Sequence, residues 1–232
     1  MTQNNKKQPS KLQSDLKQFG FWGFLKRIVK FFLRKIGINY NSYYYMVNHI
    51  DTEARRMQFE AAKLPPVKEL TYDDFLLGDT TIFTDNKLNM IKQRLQDDGY
   101  HAYGIVENGQ LIYSCWISLK KLESSNACVE GLLDDNEGLL VDAYCSPAAR
   151  GRGLHGAMNA YRLWQLSQNG KSQAVVIVLK ENKPAYKSQL KVGFEVAFTY
   201  YVANVWGKTF TNYPNRKKHT EKNAASNRFW QG

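Results

Sequence analysis

The chain is poor in cysteine, and this scarcity limits how the protein can be held together. Its 232 residues include three cysteines, Cys115, Cys128 and Cys145, an odd number at wide separations. They form neither a metal-binding spacing nor a disulfide framework. We therefore expect a cytoplasmic protein, in a reducing compartment, without a metal site.

Long apolar runs are missing too, and acidic residues are scarce near the two ends. No stretch reaches the ~18 uncharged apolar residues that a membrane-spanning helix needs. Residues 1–50 carry nine lysines and arginines against one acidic residue, Asp15, whereas residues 51–207 are close to neutral. The net charge of +11 therefore belongs to the ends, which suits an anionic partner surface.

The segment 19–37 has the pattern of an amphipathic helix. At about 100° per residue, Lys26, Lys30 and Arg34 share one side, and aromatic and aliphatic residues cover most of the other. Such a helix suits an anionic membrane surface, and packing on the main domain or in a homodimer is the alternative. Nucleic acid fits it less well, because an apolar face has no use on a phosphate backbone.

The rest of the chain divides into a tail, a connector, a body and a second tail. We predict a polar disordered tail over 1–18, the basic helix and a helical connector over 19–64, one mixed α/β domain over 65–206, and a basic tail over 207–232. Within the connector, the tyrosine-rich residues 38–50 are interpreted as a joint. The pattern predicts, in order, helix 51–64, strand 67–70, helix 85–98, a hairpin of 100–107 and 110–118 around Asn108-Gly109, a loop over 120–136, strand 138–145, helix 153–168, strand 174–179, a short helix from 182, and strand 196–205.

Residues 145–158 are the most informative stretch, because a strand there feeds a glycine-rich turn that opens a helix. Such a turn leaves backbone N–H groups unpaired, and the helix dipole adds positive potential at the same place. Gly151, Gly153 and Gly156 let the backbone approach a ligand closely. The turn therefore suits a phosphate or pyrophosphate.

This turn resembles the motif of the GNAT superfamily, the Gcn5-related N-acetyltransferases, which is Arg or Gln, two residues, Gly, one residue, then Gly or Ala. Here the six positions read Arg150-Gly151-Arg152-Gly153-Leu154-His155, with His155 at the last position and Gly156 one residue later. Asn182 and Gly193-Phe194 match two further positions of the family. The resemblance covers roughly residues 65–206 and implies a single domain whose mixed, centrally splayed sheet is flanked by helices.

The resemblance also implies an activity, the transfer of an acyl group from acyl-CoA, usually acetyl-CoA, to an amine. The pyrophosphate is then expected on the amides near Arg150 to Gly156, and the pantetheine arm beside the strand at Ala143 to Cys145. The CoA-binding positions implied in this way are Ala143, Tyr144, Cys145, Arg150, Gly151, Arg152, Gly153, Leu154, His155, Gly156 and Asn182.

Attack of an amine on a thioester needs a base, because most amines are protonated at neutral pH. Asp142 is the first candidate, since period-2 alternation puts it with Tyr144 on one face of the strand, opposite Val141. Glu137 and Glu107 are the alternates.

The proton donor for the leaving thiolate is the point where the chain departs from the family. Many members have a tyrosine four residues before the glycine of Gly-Phe, and here that position is Gln189. Tyr186, one turn earlier, is the candidate acid. Otherwise a thiol with a pKa near ~8.5 can leave as thiolate and take its proton from water.

The acceptor stays open at this stage. The basic helix, together with the acidic residues Asp134, Asp135 and Glu137 at the end of the loop 120–136, favours an amino sugar of a cell-surface polysaccharide precursor at the inner membrane face. A soluble amine or a protein amino group is the alternative. A non-catalytic membrane-associated module that keeps the fold is a reading of a different class.

Overall fold

The computed structural model describes residues 29–124 and 129–213. The chain forms two compact units: the larger is Ser42–Tyr200, and the smaller is made of the two ends, of which 29–41 and 201–213 are described. In the described ranges, no helix combines the length and the apolar character needed to cross a membrane.

Ten strands and six α-helices are present in the described ranges, together with a 3-10 helix over Pro147–Ala149. The strands are β1 Ile38–His49, β2 Lys68–Glu69, β3 Tyr100–Glu107, β4 Gln110–Ser118, β5 Lys121–Ser124, β6 Val129–Leu132, β7 Glu137–Cys145, β8 Gln173–Leu179, β9 Glu195–Val205 and β10 Lys208–Thr211. The helices are α1 (residues 29–35), α2 Thr52–Ala61, α3 Tyr72–Leu76, α4 Asp85–Leu95, α5 Leu154–Gln168 and α6 Lys183–Lys191.

The sheet of the larger unit is mixed and has the strand order β9-β1-β8-β7-β4-β3-β2. The pair β7–β8 is parallel, and the pairs β1–β8, β4–β7, β3–β4 and β2–β3 are antiparallel. In the hairpin β3–β4, Asn108 and Gly109 have φ of 51° and 73°, as a type I′ turn requires. The predicted mixed α/β architecture is confirmed.

The sheet is split near its middle, between β7 and β8. These two strands pair only at their starts, from Glu137 opposite Gln173 to Leu139 opposite Val175. Beyond that point β8 continues to pair with β1 up to Leu179, and β7 with β4 up to Cys145. The two halves of the sheet therefore diverge, which confirms the predicted central splay.

A β-bulge interrupts β7 within the splayed part. The register shifts between Ser114 and Trp116 of β4, so that Asp142 and Ala143 together stand opposite Cys115. Asp142 has a φ of 35°, in the left-handed region that residues with a side chain seldom adopt. The bulge therefore holds the chain in a conformation that its surroundings must stabilise.

The bulge also changes which side chains of β7 share a face. Leu140 and Cys145 pack with the core on the side of α5, whereas Val141 and Tyr144 pack with the core on the side of α3 and α4. The predicted alternation, with Tyr144 opposite Val141, is therefore wrong, because the extra residue shifts the register by one.

Three further predictions need correction. Residues 38–50 are not a joint but contain β1, whose Tyr43 and Tyr45 are buried in the sheet. The predicted loop 120–136 contains the hairpin β5–β6, and the predicted tail contains β10 at its start. The predicted tail 1–18 and the part of the basic helix before residue 29 lie outside the described residues.

Candidate functional site

A cleft of about 220 Å³ lies where β7 and β8 diverge. Backbone pairing between these strands stops at Leu139, so the edge of β7 that faces β8 is unpaired from Leu140 onward. The cleft is lined by five polar residues and by Ala143 of the bulge. The polar residues are Asp142, His155, Arg162, Asn182 and Gln189. Three residues of the sequence prediction besides Asp142, namely Ala143, His155 and Asn182, thus meet at one place.

The glycine-rich turn at the start of α5 is open to a ligand. Gly151 and Gly153 have φ of 81° and 75°, so both use the conformation that glycine tolerates best. A Cβ added at Gly151, Gly153 or Gly156 would meet nothing within 4 Å. In the described chain, the N–H groups of residues 151–156 donate to no backbone carbonyl. Unpaired amides, open space and a helix N-terminus together fit a diphosphate.

The two arginines of the turn differ in their partners. Arg152 forms a bidentate ion pair with Glu107, at 2.8 and 3.0 Å. The hydrogen bond from Arg152 holds the pKa of Glu107 below its ordinary value, so Glu107 is ionised and engaged away from the cleft. Arg150 is exposed beside the turn, where its charge can reach an anion.

Asp142 lies at the cleft, and its carboxylate is held by a neighbour that the sequence did not point to. Arg94 of α4 donates to Asp142 at 2.6 Å, and the Arg94 guanidinium lies over the rings of Tyr100 and Trp116. Among the described residues that line the cleft, Asp142 is the one carboxylate. Its orientation is therefore set by a nearly buried guanidinium.

The structure does not bring Glu137 to the cleft. Glu137 is buried at the paired end of β7, where it accepts hydrogen bonds from the side chain of Gln173 and the backbone of Asp134. Five residues of extended strand, about 16 Å, separate it from Asp142. Asp134 and Asp135 precede the same strand end, so the acidic cluster, which we expected to attract a cationic amine, is not part of the lining of the cleft.

Tyr186 is also displaced from the role that the sequence suggested. Its ring stacks on Tyr44 of β1, with the centroids 4.7 Å apart, and it does not line the cleft. The cleft instead receives Asn182, Ala185 and Gln189, which lie on one side of α6. Asn182 caps that helix by accepting from the Ala185 amide at 3.2 Å.

His155 is a neutral hydrogen-bonding group at this site. Its Nδ1 lies 2.8 Å from the Tyr113 hydroxyl. Burial, with the charge of Arg162 nearby, lowers the pKa of His155 to about 4. At neutral pH the imidazole therefore carries no charge and cannot serve as an acid for the leaving thiolate.

At three of the remaining implied CoA positions, Tyr144, Cys145 and Leu154, the side chain is not part of the cleft lining. The ring of Tyr144 faces Phe83, and the sulfur of Cys145 points to the Ser146 carbonyl. Leu154 is buried where α5 begins. In these three residues the backbone, rather than the side chain, is what the site can use.

Sequence reasoning missed the two arginines that flank the bulge. Arg94 gave no signal, because a basic residue near the end of an amphipathic helix is ordinary. Arg162 had one: His155, Asn159 and Arg162 follow an i, i+4, i+7 spacing, which places three polar residues on one face of a helix that is otherwise buried.

These features, a mixed sheet split between its parallel pair and a glycine-rich turn leading from the split strand into a buried helix, decide the fold. The chain has the fold of the GNAT superfamily. A functionally unknown conserved protein from Staphylococcus epidermidis is similar to this chain in fold, with a TM-score of 0.50, 13% identity, and coverage of 78% of this chain and 66% of that one. At such identity the likeness concerns the fold alone.

Two other solved structures are similar at lower scores. A GNAT-family protein from Novosphingobium aromaticivorans, described as an acetyltransferase, has a TM-score of 0.47 and 13% identity over 72% of this chain and 66% of its own. Aminoglycoside N-acetyltransferase AAC(6')-Iy, in complex with CoA, has a TM-score of 0.45 and 16% identity over 57% and 93%. The chain thus spans just under two thirds of the length of the Staphylococcus and Novosphingobium proteins. No family model matches the sequence, and neither does any curated protein.

Proposed function

We propose that this protein is an acyl-CoA-dependent N-acyltransferase that moves an acetyl group from acetyl-CoA to a primary amine. The observation that carries the proposal is the open glycine-rich turn at the mouth of the cleft in the split sheet. A protein that used this turn merely for folding would have no need for six unpaired amides beside three glycines with empty space above them.

The residues of the turn and of β7 would hold the donor. The amides of 151–156 and the guanidinium of Arg150 suit the diphosphate. The unpaired edge of β7, from Leu140 to Cys145, suits the amide groups of an extended pantetheine arm, because strand edges need hydrogen-bonding partners. Asn182 and His155 line the same space.

Asp142 is the base that we propose for the acceptor amine. It lines the cleft, where a carboxylate can attract an ammonium group and take its proton. Arg94 fixes the orientation of this carboxylate. The leaving thiolate has no acid among the described residues of the cleft, since Gln189 occupies the position and Tyr186 faces β1. We therefore infer that the thiolate leaves as such and takes its proton from water.

Calorimetry with acetyl-CoA, together with thiol release in the presence of a panel of amines, tests the proposal. We expect saturable binding, and thiol release with at least one amine. Binding without release for every amine would favour the non-catalytic module. No binding of acetyl-CoA would overturn the proposal.

A second hollow supports an amino sugar as the acceptor. It has a volume of about 350 Å³ and lies between α3 and α4, lined by Phe75, Phe83, Leu88, Thr80, Thr84 and Asp85. Phe83 also contacts the ring of Tyr144, two residues beyond Asp142. Aromatic faces, hydroxyls and a carboxylate suit a hydroxylated ring that carries an ammonium group.

The acceptor class can be tested by comparing turnover of nucleotide- or lipid-linked amino sugars with that of polyamines and peptide amines. We expect the amino sugars to have the higher kcat/KM. We also expect Asp85→Asn to raise the KM of the acceptor without changing that of acetyl-CoA. Preference for a soluble polyamine or a peptide would remove the amino-sugar proposal and leave the acyltransferase in place.

The smaller unit supports work at a membrane surface. Phe32, Trp206 and Phe210 are exposed by 61%, 78% and 54%. Residues 29–41 and 201–213 contain four lysines and arginines and no acidic residue. Trp206 donates to the Ile36 carbonyl at 2.9 Å, so the end of α1 and the β9–β10 turn form one surface. Exposed aromatics beside cations suit an anionic lipid interface.

Co-sedimentation with vesicles tests this attachment. We expect the protein to bind vesicles that contain an anionic phospholipid, and to bind neutral phosphatidylcholine vesicles much less. The double variant Trp206→Ala, Phe210→Ala should lose binding, whereas Leu190→Ala, which removes an exposed apolar side chain from the larger unit, should not. A dimer that forms through this surface and leaves the vesicles in solution would contradict the membrane proposal.

A further inference from the structure

The buried face of α5 carries a charge that the fold does not explain. Arg162 is 2% exposed and lines the cleft. No carboxylate within the described residues lies at ion-pair distance from it. Removing a charge from water without a counter-charge is unfavourable, so a buried guanidinium in this setting calls for a reason.

The partners of the guanidinium locate it at the bulge. Its Nη1 donates to the Val141 carbonyl at 3.3 Å and to the Trp116 carbonyl at 3.5 Å, and its Nη2 donates to the Asn159 side chain. Its Nε–H has no partner in the described part of the chain. Val141 immediately precedes Asp142, so Arg162 holds the peptide that enters the bulge.

A second guanidinium holds the same bulge through a different group. Arg94 of α4 binds the Asp142 carboxylate, while Arg162 of α5 binds the Val141 carbonyl. The left-handed φ of Asp142 is unfavourable for a residue with a side chain and persists only when its surroundings over-determine it. The two arginines supply that constraint.

We propose that Arg162 is a positioning residue for acyl transfer, which fixes the bulged backbone at 141–143 and places an uncompensated positive charge beside the reacting thioester. The inference rests on the proposed function. As the amine nitrogen bonds to the carbonyl carbon, negative charge grows on the carbonyl oxygen, and it passes to sulfur when the carbon–sulfur bond breaks. Asp142 takes the proton of the ammonium group before the attack and passes it to water, and it then takes the second proton that the nitrogen loses as the amide forms. The thiolate takes a proton from water.

Position 189 lacks an acid, so the positive charge of Arg162 is the group that can stabilise the developing negative charge. Gln189 lines the cleft and is 5% exposed, and its Oε1 has no hydrogen-bond partner in the described chain. An amide cannot protonate the departing sulfur. A preorganised cation in a site shielded from water lowers the energy of developing negative charge without donating a proton.

Two variants separate this role from a purely structural one. Arg162→Met removes the charge, and we expect kcat to fall about 100-fold with the KM of acetyl-CoA within about threefold of the native value. Asn159→Asp keeps Arg162 but places a carboxylate beside it, and we expect a raised melting temperature together with a kcat lowered at least tenfold. Arg162→Lys should recover part of the kcat lost in Arg162→Met.

The matched control is Arg55→Met. Arg55 of α2 likewise bonds a carbonyl, that of Val192, but does not line the cleft. We expect it to lower the melting temperature and leave kcat unchanged. If Arg162→Met does not fold, Asn159→Asp is the deciding variant. If the role of Arg162 were purely structural, the new carboxylate would raise the melting temperature of this variant and leave its kcat unchanged.

A readout that needs no turnover completes the test. The carbonyl stretching frequency of bound acetyl-CoA, labelled with ¹³C at the carbonyl, should be lower in the native protein than in Arg162→Met or Asn159→Asp. Equal frequencies, or native kcat in Asn159→Asp, would overturn the inference while the proposed function stands. A native protein that does not bind acetyl-CoA would overturn both.

Discussion

At the residue scale, the chemistry depends on how single side chains around the bulge are held. Asp142 can face the cleft because Arg94 fixes its carboxylate and Arg162 fixes the preceding peptide. Neither arginine belongs to the turn motif. The side chains that the motif does identify, such as Arg152, are in part occupied by other partners.

Replacing Asp142 by Asn should lower kcat by about 10² to 10⁴, because the neutral amide cannot accept the proton of the attacking amine. The rising limb of the plot of kcat/KM against pH should disappear or move to higher pH. Steady-state thiol release between pH 5.5 and 9 measures both effects.

Glu107→Gln is the control for Asp142, since Glu107 is one of the two alternate carboxylates that the sequence offers and is bound to Arg152. Its kcat should equal that of the native protein. A loss of kcat in Glu107→Gln as large as that in Asp142→Asn would show that the base has been assigned to the wrong carboxylate.

His155 should make the folded state sensitive to acid. Its pKa falls from about 6.5 in the unfolded chain to about 4 in the folded protein. Between these values the unfolded state binds more protons, so the free energy of unfolding falls as the pH falls, by about 1.4 kcal/mol per unit below pH 6.5. In His155→Gln the free energy of unfolding should depend less steeply on pH, as measured by urea unfolding at pH 7.5 and 5. Parallel slopes for the two proteins would contradict the burial of a neutral imidazole.

At the scale of elements, α5 joins the glycine-rich turn to the core. Its apolar residues, among them Leu154, Met158 and Leu166, pack on the sheet, and a Cβ added at Gly138 of β7 would overlap Leu166. The start of this helix is therefore held firmly beside the cleft, which is where a bound anion needs it.

Gly156→Ala separates helix stability from ligand binding. Gly156 lies in the first turn of α5 without a positive φ, so alanine should stabilise the unliganded protein by about 1 kcal/mol. The same methyl group occupies the space that we assign to the diphosphate, so the Kd of acetyl-CoA should rise at least tenfold. Thermal unfolding and calorimetry measure the two effects. A methyl group that raises stability and leaves the Kd unchanged would place the anion elsewhere.

The elements differ in how far the sequence could predict them. The hairpin β3–β4 and the turn before α5 follow from local chemistry, Asn-Gly in one case and spaced glycines in the other. β1 was missed because its central residues are buried on both faces, so Tyr43, Tyr45 and Met46 show no alternation. The bulge at Asp142 was missed because it depends on the register with β4, which a single strand does not encode.

At the scale of the whole molecule, the net positive charge lies in the two ends of the sequence, and residues 51–207 are close to neutral. The described parts of the smaller unit hold cations and exposed aromatics, while the cleft lies in the larger unit. Binding to a surface and acyl transfer should therefore respond to different substitutions.

Charge reversal in the smaller unit tests this separation. The variant Lys35→Glu, Lys208→Glu should bind anionic vesicles more weakly and show less dependence on salt, because fewer cations face the lipid. Its kcat with a soluble amine should not change. Lys187→Glu, which reverses an exposed charge on α6, is the control. Loss of vesicle binding in the control to the same degree would mean that net charge, rather than this surface, governs attachment.

The structure of the protein in complex with acetyl-CoA is the most direct measurement of the central claim. We expect the diphosphate on the amides of residues 151–156 and the pantetheine arm along β7 between Leu140 and Cys145, with the thioester beside the bulge. A complex in which acetyl-CoA lies outside the cleft, or in which side chains of α5 and α6 close the space between β7 and β8, would contradict it.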